Sequence, residues 1–188
     1  FMNNPLLTPF ETAPFSKIKN EHFSPAIHHF IAVTKTQINE ISENKEAPTF
    51  KNTIEALDGT GIQLDRITSI FFNLNSAETN DEIQKIAQEI SPALSDFKND
   101  LLLNEKLFKK VKHVYENRTS LSLNKEQAML LKKNYKGFTR NGANLSDKDK
   151  ETLREIDGKL SKLKLQFGEN VLAETNKFYL RITNEKEL

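Results

Sequence analysis

The sequence predicts an all-α protein: an antiparallel or irregular bundle of about six helices. Three observations carry that expectation. Apolar residues recur at spacings of three and four from Phe15 almost to the end of the chain. Glycine and proline punctuate it sparsely, with six of each in 188 residues. Asn and Ser stand where several of the periodic runs begin, as helix N-caps do.

The segment before Phe15 contains Pro5, Pro9 and Pro14 and has no apolar period, so residues 1–14 read as an extended arm on the surface. The first helix carries Phe23, Ile27, Phe30, Ile31, Ile38 and Ile41, with Ser24 and Pro25 suited to its N-cap and first position or a turn inside it. Pro48 precedes a second run, with Phe50, Ile54, Leu57, Leu64, Ile67, Ile70, Phe71 and Leu74 on its apolar side. Gly59 and Gly61 interrupt this run without resetting its phase. The expectation is one helix passing through both glycines, bare there for close packing or, less favoured, to leave room in a channel.

Asn75 to Asp81 is a cap-rich connection. The third helix holds Ile83, Ile86, Ile90, Leu94, Phe97 and Leu101, and Pro92 inside it should produce a kink. Asn104 and Asn124 cap the fourth and fifth helices, the fifth ending near Gly142. Ser146 with Asp149 resembles a capping box that opens the sixth and longest helix. Its Leu153, Ile156, Leu160, Leu163, Phe167 and Val171 are spaced like a bundle seam. Phe178 to Ile182 alternates and is β-prone, an orphan strand without a second strand to pair with. The domain reading is therefore an arm at 1–14, a helical domain at 15–177 and a tail at 178–188.

Composition narrows the function. Lys plus Arg number 27 against 26 Asp plus Glu, a net charge of +1, which argues against a protein that neutralises nucleic-acid phosphates. No cysteine is present, which removes disulfides, thiolate ligands and a thiol nucleophile. Aromatic content is 13 Phe against 3 Tyr and no Trp, so it reads as packing. No apolar stretch reaches the roughly 20 residues of a membrane span. Phe1 to Pro14 lacks a basic region followed by an apolar run, so no signal peptide is expected there, and Phe1 in place of Met suggests a trimmed chain.

Chemistry-bearing patterns are scarce. The histidines are His22, His28, His29 and His113, with no pair one helical turn apart, so a zinc pair such as H-E-x-x-H cannot be built from them. No G-x-S-x-G elbow, phosphate-binding loop or dinucleotide fingerprint occurs. Lys106, Lys109, Lys110 and Lys112, with Lys132, Lys133 and Lys136, could face an anionic surface, but interspersed acids favour an ordinary solvated face. Asn117-Arg-Thr and Asn144-Leu-Ser match the glycosylation pattern, which matters only in a eukaryotic secretory setting. From the residues alone no catalytic, cofactor-binding or metal-binding residue is assigned.

Longer runs carry more. NPLL (Asn4 to Leu7), FSKIKNEHFSPAI (Phe15 to Ile27), PTFKNTIEAL (Pro48 to Leu57) and SIFFNLNSAETNDE (Ser69 to Glu82) occur in order. They are followed by LSDKDKETLREI (Leu145 to Ile156) and LQFGENVLAETN (Leu165 to Asn176). Together these resemble the amino-terminal region of the M3 zinc metallopeptidases across nearly the whole chain. Within that family, FFNLNSAETND and LSLNKEQ look more like the peptidyl-dipeptidase branch than its oligopeptidase A and thimet oligopeptidase relatives.

The resemblance implies the channel-wall domain of a zinc-dependent enzyme that releases dipeptides from the C-terminus of short peptides. The family's H-E-x-x-H helix, third Glu ligand and substrate-orienting Tyr and His lie in the carboxyl-terminal part. Zn2+ would therefore be bound outside this chain, and the chain alone would be inactive. The partners implied are that catalytic part of the same protein and an oligopeptide substrate, with neither nucleic acid nor membrane. The compartment expected is the cytoplasm, or the periplasm where a leader before Phe1 has been removed. The competing expectation is a stand-alone helical interaction module without catalytic activity. A domain excised from a larger enzyme should expose an apolar patch where its partner sits, along the sixth helix and the tail, including Phe178, Leu180 and Ile182.

Overall fold

Side-chain caps set most of the helix starts. The carboxamide oxygens of Asn80, Asn104 and Asn124 accept from the backbone N–H of Ile83, Leu107 and Gln127 at 3.0, 2.9 and 2.8 Å. Gln127 closes a reciprocal box by accepting from the Asn124 N–H at 3.0 Å. Ser146 Oγ accepts from the Asp149 N–H at 3.2 Å and donates to the Asp149 carboxylate at 2.7 Å. Each such cap is worth about 1 kcal/mol.

The computed structural model describes residues 4–184. Its α-helices are α1 (Phe23–Glu43), the single turn α2 (Ala56–Asp58), α3 (Ile62–Ala77), α4 (Asp81–Leu102), α5 (Glu105–Glu116), α6 (Lys125–Arg140) and α7 (Asp147–Lys177). Six of them are long, and no strand occurs among the described residues. The all-α expectation therefore holds, while Phe178 to Ile182 forms no strand. Phe178 is extended (φ −77°, ψ 126°), but no neighbouring backbone is there to complete a ladder.

Two buried clusters share α1 as their common wall. The first joins Phe23, Ile27 and Ile31 of α1 to Ile67 and Phe71 of α3 and to Ile83, Ile86 and Ile90 of α4. Phe23 and Phe71 meet edge to face with ring centroids 5.1 Å apart. The arm contributes too: Asn4 caps a short 3-10 turn, Pro5–Leu7, that plants Leu6 in this cluster. Arg66 holds the arm by donating to the Glu11 carbonyl and stacking over the Phe10 ring.

The second cluster joins Ile38 and Ile41 of α1 and Ile54 and Leu57 to α5 and α6. There Phe108 stacks on Phe138 and Tyr115 on Tyr135, the tyrosine centroids lying 3.9 Å apart.

Three stretches carry specific sequence expectations. Helix α1 starts at Phe23, after a 3-10 turn at Asn20–His22, so Pro25 is its third residue, within the first turn, where a missing backbone donor costs nothing. Helix α4 is continuous from Asp81 to Leu102 with Pro92 inside it, as the apolar spacing predicts.

The third is a correction: no helix passes through Gly59 and Gly61. A π-type turn at Phe50–Glu55 leads into α2, and the chain then turns so that Gly61 is the N-cap of α3 at φ +73°. That left-handed conformation suits glycine and strains other L residues. The close approach expected there is present, because a Cβ on Gly61 would lie 3.2 Å from Thr34 Cγ2 of α1.

Gly142, at φ +94°, makes the corresponding turn between α6 and α7. A Cβ there would lie 2.7 Å from Leu153 Cδ2, so the bare backbone lets α7 approach. Helix α7 then runs antiparallel to α4, with Asp100 meeting Arg154 and Gln88 meeting Glu169.

Candidate functional site

Two surfaces stand out, one apolar and one a mixed trough. The apolar surface is the free side of α7. None of this helix's 31 residues is buried. The bundle-seam expectation is therefore corrected: Ile156, Leu160, Leu163, Phe167 and Val171 all face outward, with Phe167 72% exposed. The stripe continues into the tail through Phe178, Leu180 and Ile182, which are 79%, 77% and 42% exposed. This is the patch expected from the sequence, and the three tail residues do not bury themselves in this chain. Isolated exposed apolar residues are ordinary, but a row along one helix marks a contact surface.

The other side of α7 rests on Leu165, packed against the first cluster, and on polar contacts. The Asp100 carboxylate of α4 takes Lys35 of α1 at 2.7 Å and Arg154 of α7 at 2.8 Å. Burial alone would raise the Asp100 pKa, but the hydrogen bonds from Lys35 and Arg154 outweigh it and leave it below the usual 3.8. Further along, Gln88 donates to both carboxylate oxygens of Glu169 at 3.1 Å.

The trough runs along one face of α3. Its first part, about 390 Å³, lies between α1, α3, α4 and α6, with Thr34, Leu57, Gly61, Leu101, Asn134 and Gly137 among its walls. Its second part, about 510 Å³, continues past Ser69, Phe72, Asn73 and Ser76 with Leu94 opposite. The two parts share Leu64, Asp65 and Phe97. Charged groups on the walls are Asp58, Asp65 and Lys133. Partial burial pushes the Asp65 carboxyl above its ordinary value of 3.8.

The residues weighed from sequence are scattered. His22 Nδ1 accepts from the Lys19 N–H at 3.0 Å, His28 Nδ1 sits 2.9 Å from the Ser24 carbonyl, and His29 lies edge-on to Phe30. Among the described residues no group of three His, Cys, Asp or Glu side chains is placed to hold a metal ion. The α5 half of the lysine cluster is engaged with its neighbours: Lys106 pairs with Glu43, Lys109 with Glu105 and Lys112 with Glu116, while Lys110 donates to the Asn44 carbonyl at 2.6 Å. Lys106 and Lys109 hold the Glu43 and Glu105 carboxyls below their usual range through these hydrogen bonds. Asn117 of the first glycosylation match donates to the His113 carbonyl at the end of α5. No described helix is long and apolar enough to cross a membrane.

Sequence reasoning passed over Asp58, Asp65 and Gly137. The first two read as ordinary helix acids. Gly137 carried a signal, since it sits well inside a predicted helix at a cost of about 1 kcal/mol.

The fold is thus an all-helical domain with one uncovered face and one trough. No protein-family model matches the chain. Dipeptidyl carboxypeptidase of Escherichia coli (strain K12) is 35% identical over 174 residues, covering 90% of this chain and 26% of that protein. Oligopeptidase A of the same organism is 29% identical over 187 residues, covering 100% of this chain and 28% of that protein. The organellar oligopeptidase A of Arabidopsis thaliana is 26% identical over 186 residues, covering 99% and 23% respectively. The chain therefore spans about a quarter of the length of the curated relatives it matches. It is a homologue of the dipeptidyl carboxypeptidase and oligopeptidase A peptidases of the M3 family, the resemblance read from its sequence runs.

Proposed function

We propose that this chain is the helical channel-wall region of a zinc-dependent peptidyl-dipeptidase that releases dipeptides from the C-terminus of short peptides. The zinc site and the catalytic groups belong to a carboxyl-terminal part of the same protein, and residues 15–177 form a domain that is inert alone. The observation that carries the reading is the uncovered apolar face of α7 and its tail, which supplies a surface for that part to cover. The 35% identity to a dipeptidyl carboxypeptidase supports the peptidase class and the dipeptidase branch. A wall of packed helices contributes size selection: extended peptides enter beside it and folded proteins do not.

The test compares two proteins on a blocked oligopeptide with excess zinc. The purified 188-residue chain should release no dipeptide. The complete protein, read from the gene beyond Leu188, should contain H-E-x-x-H on a helix and release dipeptides in a chelator-sensitive way. A gene without that motif would favour the stand-alone interaction module, and chelator-sensitive turnover by the chain alone would overturn the inert-domain reading.

A further inference from the structure

The turn between α6 and α7 holds the one Asn-Gly pair of the sequence, Asn141–Gly142. In such a pair the asparagine carboxamide carbon is within reach of the next backbone nitrogen, and glycine offers no side chain to obstruct the approach. Both residues are half-buried and line a cavity of about 350 Å³, with Lys98, Arg140 and Asp157 among its other walls. Solvent therefore reaches the pair. The Asn141 and Ala143 N–H groups both donate to the Phe138 carbonyl, at 3.2 and 3.1 Å, but the Gly142 N–H donates to no partner among the described residues. No hydrogen bond holds that proton against removal by base. Two cations, Lys98 and Arg140, face one acid, Asp157, across the cavity, and nearby positive charge favours the anion left on the nitrogen.

The native turn restrains the same pair in two ways. Asn141 Nδ2 donates to the Gly137 carbonyl at 2.7 Å, which ties the carboxamide back to α6. The Asn141 ψ of 27° also sets the Gly142 nitrogen away from Cβ, and ring closure needs that bond turned through most of half a circle. Such a rotation unseats Gly142, whose φ of +94° lays its bare backbone against Leu103 of α4 and Leu145 and Leu153. Leu153 precedes Arg154, which the Asp100 carboxylate holds at 2.8 Å. The seating of α7 thus governs access to the reaction.

We infer that Asn141–Gly142 is a self-modifying site, which deamidates through a cyclic imide at a rate set by opening of the α6–α7 turn. Hydroxide removes the Gly142 N–H proton as water, and the nitrogen attacks Asn141 Cγ. A Cγ–N bond forms, the Cγ–Nδ2 bond breaks, and Nδ2 leaves as ammonia with a proton from solvent. Water then adds to either imide carbonyl. One opening gives aspartate, and the other gives isoaspartate, with the main chain running through the former side-chain carbonyl. Either product lacks the donor to Gly137 and adds a carboxylate at the C-terminal end of α6, where the helix dipole disfavours it. The modification therefore weakens the seat of α7.

The experiment incubates the chain at mildly alkaline pH and follows its asparagines by peptide mapping with mass spectrometry, beside an isolated peptide of residues 137–145. Asn141 should convert ahead of every other asparagine, to a mixture of aspartate and isoaspartate. The peptide should convert about tenfold faster or more, since the turn must open first in the folded chain. Asp100→Asn, which releases Arg154, should speed conversion in the chain about threefold. Asn141→Gln keeps a carboxamide but would have to close a larger ring, and position 141 should then stay intact. Asn141→Asp, the product made directly, should accelerate amide exchange around Leu153 and Arg154.

Conversion of other asparagines ahead of Asn141 overturns the inference, as does a chain that stays unmodified through many lifetimes of the peptide. Equal rates in the peptide and the folded chain, or a rate unmoved by Asp100→Asn, overturn the control by the turn. None of these outcomes bears on the dipeptidase reading, which is scored by the activity of the complete protein.

Discussion

Asp100 of α4 sits 2.8 Å from the Arg154 guanidinium of α7, and this contact anchors a helix that buries none of its own residues. The same carboxylate holds Lys35 of α1 at 2.7 Å, so a single acid ties three helices. An anchor of this kind matters more for α7 than for α4, whose Ile83, Ile86 and Ile90 are held in the first apolar cluster.

Substituting Asp100→Asn should loosen α7 selectively. The expected loss of global stability is modest, about 1 kcal/mol, because the partners are partly solvated. Amide exchange along residues 147–177 should accelerate more than exchange in α1 or α4. Uniform acceleration across the chain would count against a local anchor.

The acid response follows from the same group. Its folded-state pKa lies below the ordinary 3.8, so its contribution is fully present above that value and fades as the pH falls through the lowered one. Wild type should therefore lose stability faster than Asp100→Asn on acidification below about pH 4. Parallel denaturant titrations of the two proteins across that range measure the difference directly.

Glycine substitutions should divide by environment. Gly61→Ala meets a positive φ and the Thr34 methyl at 3.2 Å, so it should destabilise by about 1–2 kcal/mol. Gly158→Ala and Gly168→Ala, on α7 with nothing within 4 Å, should each stabilise the helix by up to about 1 kcal/mol. Melting temperatures of the three variants check both signs.

The apolar face of α7 can be tested without disturbing the core. Leu163→Glu with Phe167→Glu should leave the melting temperature of this chain nearly unchanged, because both side chains are more than half exposed. It should sharply reduce binding of an apolar dye. By contrast Phe71→Ala, at a fully buried site against Phe23, should cost about 3–5 kcal/mol. Equal destabilisation by both changes would mean that the stripe is packed in solution.

Local chemistry along the chain determined a good deal by itself. The three-and-four spacing of Ile83, Ile86, Ile90 and Leu94 names both a helix and its buried side, because one face of a 3.6-residue period must leave water. Asn104 and Asn124 mark helix starts to the residue, since the cap hydrogen bond spans only three positions, whereas the cap-rich run Asn75 to Asp81 left open which of its residues, Asn80 in the event, would cap α4. Other features needed the tertiary structure. Leu57 and Leu64 keep helical phase across Gly59 to Gly61, so the pattern could not reveal a break that depends on Gly61 taking a left-handed turn against Thr34. The α7 spacing named an apolar face but not its neighbour: α4 takes the opposite side through Asp100 and Gln88, leaving Leu163 and Phe167 in solvent. The trough lay furthest from view. Asp58, Phe97 and Gly137 come from three separate segments and share one wall-lined space only because α1 and α4 bring them together, and a proximity of that kind has no period along a chain.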